Sequence, residues 1–405
     1  MNNDDLQSNK NKALRGAKIQ NALKAIINEL YEKNCIINID EKFPRKAVQN
    51  GESYKLYAKC ILHLPNEERW AIFTTSSLRE RVKQDHWDSF LLKHYKEADK
   101  CYLVYFSSIK EKERELFVKE NDKIQRIKSD NNLLDELDEI ISDTELYYKI
   151  ANISYEQMPH GRKEDKAGRD FESNIVDVLN NENNLKFWNG DVSSIGKMYP
   201  IFSMILFKFG MSENGKIITN ISATDKIPLL PSKGLPKTDI AVTITYDDNS
   251  SELFTISCKN SKSPHVSCNE YHISKYIQAL NITDNQLIDL LYQLQEIGAP
   301  TKMEPTDLET LKRLLAPYVD RLCEWVITGK HGECDQPQIQ CANYVLSFDK
   351  EKFICNMYTA DDYIAKIKSN SKDNTANIGT PFTWTYPSKK RGKAMVLKMP
   401  MLKDL

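Results

Sequence analysis

Apolar residues return at helical spacing near the start of the chain. Ile19, Ala22, Leu23, Ile26, Ile27 and Leu30 share one face and predict an amphipathic helix over residues 12–33. Trp70–Thr74 is rich in β-forming residues, Cys101–Phe106 is a second apolar run, and Arg79–Tyr95 between them reads as a helix. Over Lys110–Lys128, 12 of 19 residues are charged with mixed signs, which marks a solvated helix or a linker rather than a binding stretch. A further helical stretch is expected over Asn131–Lys149. After the polar run His160–Arg169, the residues Phe171, Ile175, Val178 and Leu179 mark one face of a helix over Asp170–Leu179. Pro200–Phe209 is apolar enough to be buried. A domain boundary is expected near residue 150.

The period then changes from helical to alternating. Asp239–Tyr246 (DIAVTITY) sets Ile240, Val242, Ile244 and Tyr246 on one face, as in a half-buried strand. Residues 247–251 supply turn chemistry. Leu253–Lys259 (LFTISCK) resumes as a strand, with Phe254, Ile256 and Cys258 on one face and Thr255, Ser257 and Lys259 on the other. Folded symmetrically about Asn249, this hairpin sets position 239 opposite position 259, so Asp239, Ser257 and Lys259 meet at its open end. A carboxylate, a hydroxyl and an ammonium together suit magnesium-dependent hydrolysis of a phosphodiester. Magnesium takes few protein oxygens and keeps several waters. It also acidifies an attacking water and offsets charge at phosphorus. The lysine orients or deprotonates that water. By itself the pattern is weak, because an Asp and a Lys at strand ends equally describe a solvated or salt-bridged pair.

Length and composition bound the classes. The chain has 405 residues, 40% hydrophobic and 28% charged, enough apolar material for a packed core and enough length for two domains. Mean hydropathy is −0.55, and no apolar run is long enough for a membrane helix. The segment MNNDDLQSNKNK lacks the apolar core of a signal peptide, so a cytoplasmic protein with no membrane partner is expected. Nine cysteines without a C-x-x-C pair are expected to be reduced, and the spacing of His331, Cys334 and Cys341 fits no common zinc site. Net charge is −1, which excludes polycation behaviour overall but leaves room for a local basic patch.

Further residues carry more weight than the bare hairpin. Pro236-Lys237-Thr238-Asp239 opens the first strand, Cys258-Lys259 closes the second, and Ser267–Tyr271 (SCNEY) reads as a helix start. Residues 314–329 (LLAPYVDRLCEWVITG) and 378–398 (IGTPFTWTYPSKKRGKAMVLK) follow in order. Through these segments, residues 155–400 resemble the MspI family of type II restriction endonucleases, of the PD-(D/E)xK superfamily. The resemblance implies an α/β fold: a restriction-endonuclease-like mixed sheet flanked by helices, over residues 151–405. It also implies Mg2+ as cofactor, double-stranded DNA cut at CCGG as substrate, and a companion DNA methyltransferase. Matched position by position, Asp239 is the metal-binding aspartate and Lys259 the catalytic lysine. Ser257 stands where the family has an asparagine and most nucleases of the fold have an acid, and it is expected as a second metal ligand that brings no charge. Glu172, in Gly168-x-x-Phe171-Glu172, lies in a helix pattern that often helps hold metal or lysine. Glu270 is expected beside the helix after the second strand, and both glutamates join the candidate catalytic set.

The C-terminal end carries the basic patch. Residues 374–403 contain no acid and six Lys or Arg. Thr385 and Ser388 are interleaved there with Lys389, Lys390, Arg391, Lys393 and Lys398, all expected to touch DNA. The resemblance matches Lys398 to a base-contacting lysine and finds Val396 where the family has a glutamine. Lys233, Lys237 and Lys262 flank the hairpin as candidate phosphate contacts. Residues 1–150 have no counterpart in the resemblance. They are expected to form an α/β domain, either DNA-binding or a nuclease-like fold without its lysine. Two rival readings stand beside the restriction enzyme: a non-catalytic DNA-binding module, and a repair-type nuclease of the same fold without sequence specificity.

Overall fold

The computed structural model describes residues 19–41, 46–49, 52–56, 58–75, 78, 81–131, 137–156, 171–191, 195–213, 215–261, 263, 265–349, 354–371, 374–387, 390–400 and 402. The chain divides into two compact units. One comprises Met1–Asp170, Asp177–Ile217 and Asp404–Leu405; the other comprises Phe171–Val176 and Ile218–Lys403.

In the first unit, helix 19–32 buries Ala22, Leu23, Ile26, Ile27 and Leu30, as their spacing predicts. Seven strands follow: β1 (Asn38–Asp40), β2 (Lys46–Gln49), β3 (Glu52–Lys55), β4 (Cys60–His63), β5 (Arg69–Thr74), β6 (Lys100–Tyr105) and β7 (Glu139–Ser142). Strands β2 and β3 form a separate hairpin, and the rest make one sheet in the order β1-β4-β5-β6-β7. The β1–β4 and β4–β5 pairs are antiparallel, and the β5–β6 and β6–β7 pairs are parallel. Helix Arg81–His94 makes the crossover from β5 to β6. The charged stretch forms helix Glu111–Asn131, which buries Phe117 and Ile124 and leaves its charges in water.

The helix expected over Asn131–Lys149 is present only in part among its described residues, at Asn131 and over 143–149. Between these, β7 occupies Glu139–Ser142, and a helix starts at Asp143. Two adjacent β-branched residues, Ile140 and Ile141, are buried beside β6, a better place for them than a helix face. The helix start has its own signal. Ser142 Oγ accepts from Glu145 N–H at 3.2 Å, and Glu145 Oε2 accepts from Ser142 N–H at 2.6 Å, a reciprocal capping box.

Pro200–Phe209 is buried as expected, in helix Tyr199–Lys208. The packing assigns this helix to the first unit. Met198 N–H donates to Glu29 Oε2 at 2.7 Å, and Lys208 pairs with Glu111 at 3.1 Å. The partition is therefore discontinuous rather than a single cut near residue 150.

The second unit is built on β8 (Ile218–Thr224), β9 (Ile240–Tyr246), β10 (Ser251–Ser261), β11 (His265–Tyr271), β12 (Tyr344–Asp349), β13 (Ile354–Thr359), β14 (Thr383–Thr385) and β15 (Met395–Pro400). Its main sheet runs β13-β12-β10-β9-β8, with β10 antiparallel to β9 and parallel to β12. A second sheet runs β11-β15-β14. Helices Ile273–Leu280, Asn285–Ile297, Pro305–Leu315 and Val319–Thr328 lie in the long connection from β11 to β12. They bury Tyr276, Leu291 and Trp325 in one core with Trp384, Met395, Leu397 and Met399 of the smaller sheet.

The segment SCNEY is part of strand β11, not a helix start. The helix begins at Ile273, where His272 Nδ1 caps the Ser274 N–H. All nine cysteines are free thiols. Among the described residues, no helix is long and apolar enough to cross a membrane.

Candidate active site

Strand β9 is held at its start by Asp239 N–H donating to Ile256 C=O at 2.8 Å. The pairing runs from Thr245 opposite Ser251 to Ile240 opposite Ile256. This register sets position 239 opposite 257, not 259 as symmetric folding about Asn249 predicts. The turn explains the two-residue shift. Asp247, Asp248 and Asn249 form a three-residue loop, with Asn249 left-handed at φ 62° and Tyr246 N–H bonded to Ser250 C=O. The centre of the hairpin is Asp248.

Asp239, Ser257 and Lys259 nevertheless converge. Cys258 N–H donates to Asp239 Oδ2 at 2.6 Å, and Ser257 Oγ donates to the same oxygen at 3.2 Å. Lys259 lies two residues farther along β10 on the Ser257 face. Its Nζ reaches back to Ser257 Oγ at 2.6 Å and Cys258 C=O at 3.2 Å, and stands 3.9 Å from Asp239 Oδ2. Ser257 is fully buried, while the Asp239 side chain is 34% exposed and the Lys259 side chain 12% exposed. The carboxylate thus opens to solvent above a rigid floor.

The remaining candidates are distributed differently. Phe171 stacks on Phe348 of β12 at 5.4 Å, which brings Glu172 toward β10. Burial above all, then the charges of Asp239 and Glu172, push the Cys258 thiol well above its ordinary range. Glu270 is not part of the Asp239 cluster. It lies in β11 opposite Val396 and pairs with Lys390 at 2.5 Å. Lys237 does not present its ammonium to a phosphate. Its Nζ turns inward to Cys268 C=O at 2.6 Å and to Asn269 Oδ1, and burial, then Lys259, lowers its pKa to about 8. Lys233, Arg391 and Lys393 are exposed. Lys262, Ser388 and Lys389 lie outside the described residues.

The small sheet has an inner and an outer face. Met395, Leu397 and Met399 of β15 enter the core, whereas Lys398 between them is exposed. Lys398 sits opposite Ser267 of β11 on one side and Thr383 of β14 on the other, and Thr385 sits opposite Val396. The outer face is thus a polar row centred on a lysine. Ser267 and Thr383 escaped the sequence reading because their place depends on β11 being a strand. The main-chain groups of Cys258 escaped it because no side chain advertises them.

The donor set suits a hard divalent cation. One carboxylate, one hydroxyl and the Cys258 carbonyl offer only oxygen, and the carboxylate is open to water. Among the described residues no group of three or more His, Cys, Asp or Glu side chains converges, so a zinc-type cage is not formed.

A mixed sheet with an antiparallel strand pair at its centre and a helical crossover to a parallel strand is a restriction-endonuclease-like α/β fold. The family model described as "Restriction endonuclease MspI" matches residues 146–399. The type II restriction enzyme BsuFI of Bacillus subtilis is 28% identical over 400 residues, covering 96% of this chain and 97% of its own. The type II restriction enzyme MspI of Moraxella sp. is 27% identical over 263 residues, 63% of this chain and 99% of its own. The crystal structure of MspI in complex with its cognate DNA superposes with a TM-score of 0.50 at 25% identity, covering 62% of this chain and 98% of that one. The chain belongs to the MspI restriction endonuclease family.

Proposed function

We propose that this chain is a type II restriction endonuclease that uses magnesium to hydrolyse double-stranded DNA at CCGG sites. The observation that carries the reading is the Asp239–Ser257–Lys259 cluster at the end of a buried strand pair. Its geometry favours a working centre over a decayed one, because all three side chains touch and the carboxylate stays open.

Asp239, Ser257 Oγ and the Cys258 carbonyl would hold the cation. Bound there, magnesium would supply Lewis acidity at the scissile phosphate. The Cys258 N–H holds the Asp239 carboxylate in one orientation, which fixes the site before substrate arrives. The Lys259 ammonium, tethered by Ser257 Oγ and Cys258 C=O, offsets charge on the phosphate and orients the attacking water. Lys398, flanked by Ser267 and Thr383, is the proposed guanine contact, while Lys233, Arg391 and Lys393 hold phosphates. The companion methyltransferase is proposed on the same grounds, as protection of the host's own sites.

Digestion of phage DNA with purified protein and magnesium tests the reading. A discrete ladder whose ends map to CCGG is expected, and it disappears with EDTA. A smear would mean a nuclease without specificity, and binding without cutting would mean a non-catalytic module.

A further inference from the structure

The two units share a strand arrangement. In each, helical segments precede three neighbouring antiparallel strands, and a helical crossover follows to a strand that pairs in parallel with the third. These strands are β1, β4, β5 and β6 in the first unit, and β8, β9, β10 and β12 in the second. The local bonds match as well. Lys59 N–H donates to Ile72 C=O at 2.7 Å, as Asp239 N–H donates to Ile256 C=O at 2.8 Å. Ile72 then lies opposite Cys60 and Tyr102, as Ile256 lies opposite Ile240 and Tyr344.

This correspondence sets Lys59 at the place of Asp239, Phe73 at the place of Ser257 and Thr75 at the place of Lys259. Each exchange removes a necessary group. A lysine repels a divalent cation where the aspartate attracts one. Phe73, 1% exposed and packed in the first unit's core with Leu91 and Leu103, has no oxygen to offer. Thr75 is 7% exposed and carries no ammonium. We propose that the first unit is a second nuclease-type core whose cutting centre has been replaced by packing, so that the chain cuts both DNA strands with the one centre at Asp239.

The cutting half of this inference rests on the proposed nuclease function, and the structural half does not. The test uses the full chain. On a supercoiled plasmid with one CCGG site and magnesium, Asp239→Ala should yield neither nicked nor linear product above the no-enzyme control. Residual nicking that disappears when Lys59→Ala and Thr75→Ala are added would place a second centre in the first unit and overturn the proposal. Lys59→Ala with Thr75→Val should cut at the wild-type rate. A fall of more than about tenfold in a folded protein, checked by circular dichroism, would also overturn it. An experimental structure decides the correspondence whatever the activity. Overlay of β1, β4, β5 and β6 on β8, β9, β10 and β12 should bring Lys59 Cα onto Asp239 Cα, and a register slip of one residue would refute it. A wild-type protein that cuts nothing would defeat the proposed function alone and leave this overlay as the decision.

Discussion

At the start of β9 and at the start of β4 the backbone makes the same bond to the next strand, and what stands above that bond differs. In the second unit it is Asp239, open to solvent and held by Cys258 N–H and Ser257 Oγ. In the first it is Lys59, and Phe73, at the place of Ser257, is packed into the core. The strand pairing in both units follows from apolar residues facing two cores, and neither core needs the acid or the lysine. The residues proposed for the chemistry are thus separable from those that fold the sheet. A second difference concerns recognition. The small sheet β11-β15-β14 belongs to the second unit, and the first has a two-stranded hairpin, β2–β3, as its only other sheet among the described residues.

The largest expected effect separates the two units outright. Asp239→Ala and Lys259→Ala should each abolish cleavage while leaving CCGG binding within a few-fold of wild type, measured by gel shift in calcium. In the proposed mechanism both groups serve the cation and the water rather than the bases. Asp239→Ala is expected to tighten binding, because it removes a negative charge that would face a phosphate. Substantial cleavage by either variant would erase the distinction between the two hairpins.

Phe73→Ala should invert this result. Its effect is on stability, about 3–5 kcal/mol for truncating a fully buried phenylalanine, with no loss of catalytic chemistry at temperatures where the protein stays folded. Urea unfolding paired with cleavage at 15 °C checks both parts. A fall in turnover without a fall in stability would show that position 73 takes part in the reaction.

The alternating strands, the amphipathic first helix and the Asp239 to Lys259 hairpin were all legible in the sequence, because burial on one face leaves a period that can be read. The register was not. It turned on Asn249 adopting a left-handed conformation, which moves the centre of the hairpin to Asp248. The three side chains still meet despite the shift, because a lysine side chain is long enough to reach back two residues. Glu270 was misplaced for a different reason. SCNEY has the polar start of a helix, but long-range pairing with the apolar strand β15 overrides that local signal. The capping box at Ser142 and Glu145 was a readable sign of the helix after β7, and it was missed.

The units also differ in how they hold a buried acid. Asp143 is 1% exposed and accepts bonds from the Ser107 N–H and hydroxyl. Burial raises its pKa to about 6 despite those bonds. A carboxyl with a folded pKa above its unfolded value of 3.8 binds its proton more tightly when folded. Stability from this group is therefore full below about pH 4, falls as pH rises toward 6 and stays low above it. Asp143→Asn should stabilise the first unit at pH 7.5 by on the order of 2–3 kcal/mol, with the gain gone by pH 4. Amide exchange in β6 and β7 reads this locally. A gain that does not depend on pH would mean Asp143 stays charged throughout.

Recognition is expected to fail in the second unit alone. Lys398→Ala should reduce the preference for CCGG over a scrambled duplex by about 1–3 kcal/mol, the worth of the one guanine contact proposed for it. Arg391→Ala should weaken both duplexes alike and lower the salt slope by about one. Competition binding at two salt concentrations distinguishes them. An unchanged ratio in Lys398→Ala would move base reading away from β15.

The smallest effect tests the position where the two units differ most in chemistry and least in burial. Ser257 and Phe73 occupy matching places and both are buried, yet only Ser257 lies between an acid and a lysine. Its hydroxyl donates to Asp239 and accepts from Lys259, so Ser257→Ala frees the lysine from one tether and leaves the Cys258 carbonyl as the other. The Cys258 N–H still holds Asp239. One neutral hydrogen bond is worth roughly 0.5–1.5 kcal/mol, so cleavage should slow by about tenfold or less, far short of Asp239→Ala. Magnesium titration of the cleavage rate locates the loss. A higher magnesium requirement with an unchanged maximal rate would identify Ser257 as a ligand. A lower maximal rate at unchanged requirement would identify it as the post that aims Lys259. Complete loss, equal to that of Asp239→Ala, would show that the hydroxyl replaces the missing second acid in full.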